Sequence, residues 1–278
     1  MKTSSALFHI FILTTCLSSC NEEAIEDASN EVLDEQIILD ENVMNSELDE
    51  VYRISDEAIF RASTAEGKED SPTYCAMLTH NQETKTITLD FGENGCIDHI
   101  GKLRKGMLEI QYTGVAGSLL SGRSIIFHNY SVDGKKITGS IATSDFNRNK
   151  NGNIEFVRSH KNISITFSEE NTSFSANSTY LMEWISGEGD LDFYNNIYEL
   201  SGSGWGVSRN GEKYTSQIVH PVTLQTNCFA NSVYYPVSGA SQINPENGKY
   251  YRIDFGNGEC DKTTTIKIGD KIFYIELP

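Results

Sequence analysis

A chain of 278 residues is long enough for one large all-β domain or two small ones. Its net charge of −17 is concentrated at one end: residues 21–70 carry 17 acidic and 3 basic side chains, whereas residues 71–278 carry 22 and 18. Neither part has the basic stripe that nucleic acid demands, which argues against DNA or RNA as a partner.

The chain opens with Lys2 and an apolar run, Ala6 to Thr15, too short to span a bilayer. Leu17-Ser18-Ser19-Cys20 closes the run with small residues before a cysteine. This resembles a bacterial lipobox, so residues 1–19 read as a signal peptide and Cys20 as the lipid-modified first residue of the mature chain. Acyl chains on one cysteine anchor firmly, since each buried methylene contributes about 0.8 kcal/mol. Asn21-Glu22-Glu23 is similar to the surface-export signal of Bacteroidota lipoproteins. It implies an outer-membrane protein facing the cell exterior, with a tether inside the periplasm as the alternative.

From Asn21 to about Asn42 the chain is acidic and poor in apolar residues, which predicts a flexible spacer. A short helix is predicted between Asn45 and Ala62, with Ser46 as its cap. Leu48, Val51, Tyr52, Ile59 and Phe60 fall mostly on one side of it, as for a helix docked on a sheet or lying beside it. Residues 20–70 are thus a lipid-anchored acidic spacer with a short helix, and residues 71–278 the all-β domain.

Past Ser71 the pattern has period two. Ile87, Leu89 and Phe91 alternate with polar residues, as do Leu108, Ile110 and Tyr112, and Ile163, Ile165 and Phe167. Asp133-Gly134, Asn151-Gly152, Asn210-Gly211, Asn247-Gly248 and Gly269-Asp270 supply hairpin turns. The expectation is an antiparallel meander of about fourteen strands, either a sandwich or a strongly curled sheet.

One stretch occurs twice. Lys85 to Cys96 returns 164 residues later as Lys249 to Cys260, each copy a strand, then Asp-Phe-Gly, then a turn closed by cysteine. Setting aside Cys16 and Cys20, the cysteines are Cys75, Cys96, Cys228 and Cys260. In an exported domain they predict two disulfides, with three connectivities open. Local clasps, Cys75–Cys96 and Cys228–Cys260, would use one device twice; the rival cross-bridges Cys75 to Cys228 and Cys96 to Cys260. If each clasp spanned three neighbouring strands of a flat sheet, its strands would lie about 10 Å apart. A disulfide tolerates a Cα separation of at most about 7 Å. The local clasp would then require Gly92-Glu93-Asn94-Gly95 to fold over the sheet. A zinc site is disfavoured because no close C-x-x-C pair exists.

Thr88-Leu89-Asp90-Phe91-Gly92, Gly101 to Gly106, Ile110 to Gly114, Phe127 to Gly134, Trp184-Ile185-Ser186-Gly187 and the closing Asp254-Phe255-Gly256 carry a resemblance. They are similar to a group of uncharacterised β-rich exported lipoproteins of Bacteroidota, over about residues 75–278. The resemblance implies an all-β exported lipoprotein and no particular activity.

Few constellations suggest chemistry. Asp-Phe-Gly holds magnesium in kinases, but no other kinase motif accompanies it. Asp90 and Asp254 are expected to accept backbone N–H groups instead. Asn147 to Ile154 imitates a calcium loop but lacks carboxylates and has Arg158 where a glutamate belongs. Glu188, Asp190 and Asp192 are a better calcium candidate, against a solvated acidic turn. His80, His99, His128, His160 and His220 show no metal-ligand spacing. Neither a cofactor nor catalysis is expected, although a hydrolase site assembled by the fold stays open. The remaining lead is aromatic: Trp184, Tyr194, Tyr198, Trp205, Tyr214, Tyr234 and Tyr235. Trp205 and Trp184 are the candidate ligand-binding residues, and the glycines around Trp205 would leave it facing outward. The sequence therefore predicts a non-enzymatic domain with a binding, adhesion or envelope-structural role, its partners the membrane and a glycan or protein ligand. A glycan-binding accessory protein of a polysaccharide uptake system is the alternative.

Overall fold

The computed structural model describes residues 23–63, 75–114, 121–188, 193–231, 233 and 235–277. Residues 1–19, expected to be a signal peptide, and Cys20 lie outside them. A helix, α1 (Glu23–Ser63), precedes the strands β1 (Met77–Asn81), β2 (Thr86–Ile97), β3 (Leu103–Tyr112) and β4 (Arg123–Val132). Then come β5 (Lys135–Arg148), β6 (Ile154–Phe167), β7 (Thr172–Ser186), β8 (Ile197–Val207) and β9 (Lys213–Gln225). The chain closes with β10 (Ser238–Pro245), β11 (Tyr251–Asn257), β12 (Thr263–Ile268) and β13 (Lys271–Glu276). All thirteen form one antiparallel meander in sequence order, with β1 and β13 as its edges. The strand count is one below the expected fourteen, and the sheet is curled rather than split into a sandwich.

The helix explains the curl. A helix lying on a flat sheet buries one stripe. Between Ser46 and Ser55 every residue of α1 except Asp49 is buried. Its partners run almost the whole width of the sheet. Met44, Leu48, Val51 and Ile54 share a core with Ile87 and Leu89 of β2, Ile125 of β4 and Val222 of β9. Ile37 and Ile38 pack with Tyr214 of β9, Ile243 of β10, Tyr251 and Ile253 of β11 and Ile266 of β12. One helix reaches strands this far apart only if the sheet wraps around it.

Two expectations about the N-terminal part are corrected here. The helix starts at Glu23 rather than near Asn45. Residues 37–44 also belong to the core rather than to a spacer, since Ile37, Ile38 and Met44 are buried. Acidic residues that cannot build a core alone can join one when another element supplies cations, as described below.

The sheet bends at bulges. Register shifts interrupt the β3–β4 and β5–β6 ladders. At these places Gly106 faces the Asn129 carbonyl and Gly139 the Asn162 carbonyl. A Cβ would stand only 2.3 and 2.5 Å from those oxygens. Asn129 and Asn162 themselves adopt positive φ. Glycine opposite a bulge lets neighbouring backbones close up and the sheet turn a corner.

The disulfides are Cys75–Cys96 and Cys228–Cys260, with Cα separations of 5.9 and 5.2 Å. No fold-over is needed. β1 is the direct neighbour of β2, with Met77 opposite Asp90, and β2 continues through Cys96 on irregular register. Cys75, just before β1, therefore meets Cys96 across one strand spacing. In both copies of the repeat the aspartate caps its own turn: Asp90 Oδ1 accepts from Gly92 N at 2.8 Å, and Asp254 Oδ1 from Gly256 N at 3.0 Å.

Candidate functional site

The inner surface of the sheet carries cations that meet the acids of α1. Arg104, fully buried on β3, donates to Glu50 Oε1 at 2.5 Å, Asp98 Oδ2 at 2.8 Å and the Tyr130 hydroxyl at 2.6 Å. Burial opposes its charge, but Tyr130, Glu50 and Asp98 outweigh that and hold the guanidinium pKa above its ordinary value. Lys102 and Lys135 pair with Glu47 at 3.5 and 3.0 Å. Arg123 pairs with Asp56 at 2.5 Å, Arg158 with Asp49, and Arg209 with Asp40 at 2.7 Å. The guanidinia of Arg123 and Arg158 also lie 3.9 and 4.0 Å from the Tyr52 ring centroid.

Between α1 and strands β6–β9 lies a partly open cavity of about 70 Å³. Two inward rows explain it. Arg158, Tyr180 and Gly202 stand opposite one another on β6, β7 and β8, and beside them His160, Ser178, Gly204 and Ser216 continue onto β9. Gly202 of β8 lines this space without a side chain, beneath Glu41, Asn45 and Asp49 of the helix. A Cβ at Gly202 or Gly204 would press on the β7 backbone, 2.2 Å from Thr179 O or 2.8 Å from Asn177 O. Other walls are apolar, among them Leu200, Ile218, Val222 and Leu224.

The polar groups of the cavity are perturbed. His160 Nδ1 is 2.9 Å from Ser178 Oγ, while its Nε2 and the Nε of Arg158 are buried without a hydrogen-bond partner. Burial, aided by the Arg158 charge, lowers the imidazole pKa to about 3. Burial raises the Glu41 carboxyl to about 7, opposed by a hydrogen bond with Ser216. Asp49 is also raised by burial, against the pull of Arg158.

Size limits what this site can do. A water needs about 10–15 Å³, and an apolar cavity of about 150 Å³ accepts a benzene ring. A space of about 70 Å³ therefore takes a few waters or a group of three or four heavy atoms, and a sugar ring does not fit.

The outer surface of the same strands is different. Trp205 points outward from β8 and is 57% exposed. It stands opposite Asn177 of β7 and Thr215 of β9, and Thr215 opposite Asn244 of β10. The adjacent row runs Ser159, Thr179, Ser203, Gln217 and Gln242, one residue per strand from β6 to β10. An exposed indole thus sits among neutral hydroxyl and amide side chains. The two surfaces meet, because Ser203 and Gln217 are exposed and also line the cavity. Beside them the β8–β9 ladder lapses between the Leu200–Val222 and Ser203–Gln217 pairs.

The other expected site residues fall elsewhere. Trp184 is half-buried against Tyr198, and its indole N–H donates to Ser186 O at 2.7 Å and Asn196 Oδ1 at 2.9 Å. It offers no platform. Tyr198, Tyr214 and Tyr235 are buried, Tyr194 is exposed, and Tyr234 lies outside the described residues. Glu188 is held by Arg148, with one contact of 3.0 Å, while Asp190 and Asp192 lie outside the described residues. Among the described residues no three acids, histidines or cysteines group to hold a metal ion. The calcium-like loop is a hairpin in which Asn149 Oδ1 accepts from the backbone of Asn151 and Asn153.

Arg104, Arg158, His160 and Glu41 escaped sequence reading as site residues. The phase of their strands could have revealed three of them. Arg104 shares the inward phase of Leu108 and Ile110, and Arg158 and His160 that of Ile154 and Phe156. No family model, curated protein or solved structure matches this chain.

Proposed function

We propose that this protein is a lipid-anchored, surface-exposed binding domain of the outer membrane that works without catalysis and recognises its ligand on the outer face around Trp205. One observation carries this reading: α1 occupies the inside of the curled sheet, which leaves the outer face open, and there Trp205 is 57% exposed among hydroxyl and amide side chains. The cavity chemistry supports binding over hydrolysis. His160, with a pKa lowered to about 3, is a weak base, and the Ser178 hydroxyl it touches is itself buried. Asp49 is tied to Arg158 and Glu41 to Ser216.

The surroundings of Trp205 favour a glycan over a charged protein partner. A pyranose ring stacks on an indole through its C–H face and hydrogen-bonds through its rim. Asn177, Thr179, Ser203, Thr215 and Gln217 offer that chemistry without a net charge. This matches a glycan-binding accessory role in polysaccharide uptake. The test is calorimetric titration of the mature domain with neutral oligosaccharides. Trp205→Ala should abolish binding, and Trp184→Phe should leave it intact. Binding that survives Trp205→Ala would move the ligand elsewhere on the molecule.

A further inference from the structure

We infer that the ligand is an acidic polysaccharide, and that Arg252 and Lys267 hold one of its carboxylates while a ring further along the same chain rests on Trp205; the inference rests on the Trp205 face being the binding face. The two cations stand directly opposite each other on β11 and β12. Both point outward, since Tyr251, Ile253, Ile266 and Ile268 beside them in sequence pack into the core. Among the described residues neither has an ion-pair partner. Asp254, the next outward residue on β11, is turned to the N–H of Gly256 at 3.0 Å. The inward cations of the sheet are matched by acids of α1, but these two face each other. Opposite side chains on neighbouring strands have Cβ atoms about 4.5–5.5 Å apart, and like charges there repel. An anion set between them removes the repulsion. The guanidinium fork beside an ammonium suits the two oxygens of a carboxylate.

Strand register points to the class of ligand. The outward row through Ser203 of β8 runs on through Gln217, Gln242, Arg252 and Lys267, one residue per strand, and ends at Ile272 on the β13 edge. Trp205 stands two residues along β8 from that row. Arg252 is three strand spacings from β8 and Lys267 four, about 14 and 19 Å along the sheet. A short oligosaccharide covers that distance. Between the two ends, Gln217 and Gln242 offer amides to ring hydroxyls. Beyond the cations, Ile272 and Tyr274, 58% and 78% exposed, offer apolar surface to a further sugar face.

The experiment titrates the mature protein with a hexamer of α-1,4-linked galacturonic acid and with its methyl ester, which keeps the backbone and loses the charge. The wild type should bind the acid at least tenfold more tightly, and added salt should shrink that advantage. Arg252→Gln combined with Lys267→Gln should lower the affinity for the acid to that for the ester. Lys136→Gln, at an exposed cation of β5, should leave it unchanged. The double variant should unfold no earlier than the wild type, because it removes a repulsion and no contact. A hexaglutamate peptide should not displace the acid; displacement at equal concentration would make the site a protein contact and overturn the inference. If acid and ester bind within twofold and Trp205→Ala removes both, the cation pair lies outside the site, and the Trp205 face stands without it. If the acid outbinds the ester and Trp205→Ala alters neither, the two positions share no ligand, and the Trp205 reading falls with the inference. Binding of neither form at millimolar concentration overturns both.

Discussion

The two faces of strands β6–β9 are built from similar residue types to opposite ends. Inward, Arg158 and His160 are buried, Arg158 against Asp49 of α1, and burial together with the Arg158 charge lowers the His160 pKa. Outward, Ser159, Thr179, Ser203 and Gln217 occupy the alternate positions of the same ladders. Polar side chains thus hold the molecule together on one face and are available to a ligand on the other. Burial makes the difference, because a buried charge left without its partner costs far more than an exposed one.

That contrast is tested most severely at Arg104. Arg104→Ala takes the buried guanidinium from Asp98 and leaves Glu50 only Lys102 and Arg53, and breaking such a buried pair costs roughly 3–5 kcal/mol. Urea unfolding should show that loss. A change below about 1 kcal/mol would mean that the inner charges are hydrated and the contrast is overstated. Next in size are the clasps. Cys75 and Cys96 are 21 residues apart, Cys228 and Cys260 32. Replacing either pair with serines should cost about 3–4 kcal/mol on the chain-entropy view. Peptide mapping without reduction should recover both local pairs.

Much of the sheet was legible because its turns and period-two alternation are local. Asp133-Gly134 closes β4 onto β5 with both residues at positive φ, as the dipeptide predicts. The curl was not legible, since it depends on non-local closeness such as Gly106 against Asn129. The helix was half legible. The apolar spacing of Leu48, Val51 and Tyr52 marked its later half, but the stretch around Asp40 read as spacer because its cation, Arg209, lies far along the chain. Trp205 could be picked out through its flanking glycines. The cavity could not, because it needs Gly202 of β8, His160 of β6 and Glu41 of α1 to meet.

The cavity gives a pH test of intermediate size. Glu41 has a folded pKa of about 7, above its ordinary 4.5. The folded state therefore holds this proton more tightly than the unfolded chain, and the resulting stability, fully present below about 4.5, is lost as pH rises through about 7. The expected size is about 3–4 kcal/mol. His160 acts in the opposite sense: its contribution is present above about 6.5 and is lost as pH falls through about 3. Between about pH 4.5 and 6.5 the two slopes are opposite and nearly cancel, so Glu41→Gln should turn a nearly flat profile into one in which stability rises with pH, while preserving the acid-side loss. If the unfolding free energy of this variant keeps the wild-type slope over that interval, Glu41 is not the group responsible.

The smallest expected effect on stability belongs to Trp205, and it is the one that separates the two faces most directly. Its side chain is 57% exposed and lies on the face opposite the core. The inward space at Gly206 on the same strand is filled by the Tyr214 ring, 2.7 Å from where a Cβ would stand. Removing the indole therefore opens no cavity and orphans no buried polar group, and surface changes of that kind stay within about 0.5 kcal/mol. Trp205→Ala should accordingly unfold at the wild-type midpoint while losing oligosaccharide binding. If Trp205→Ala lowered the unfolding free energy by 2 kcal/mol or more, Trp205 would be structural. The outer face would then be an extension of the framework rather than a surface kept for a ligand.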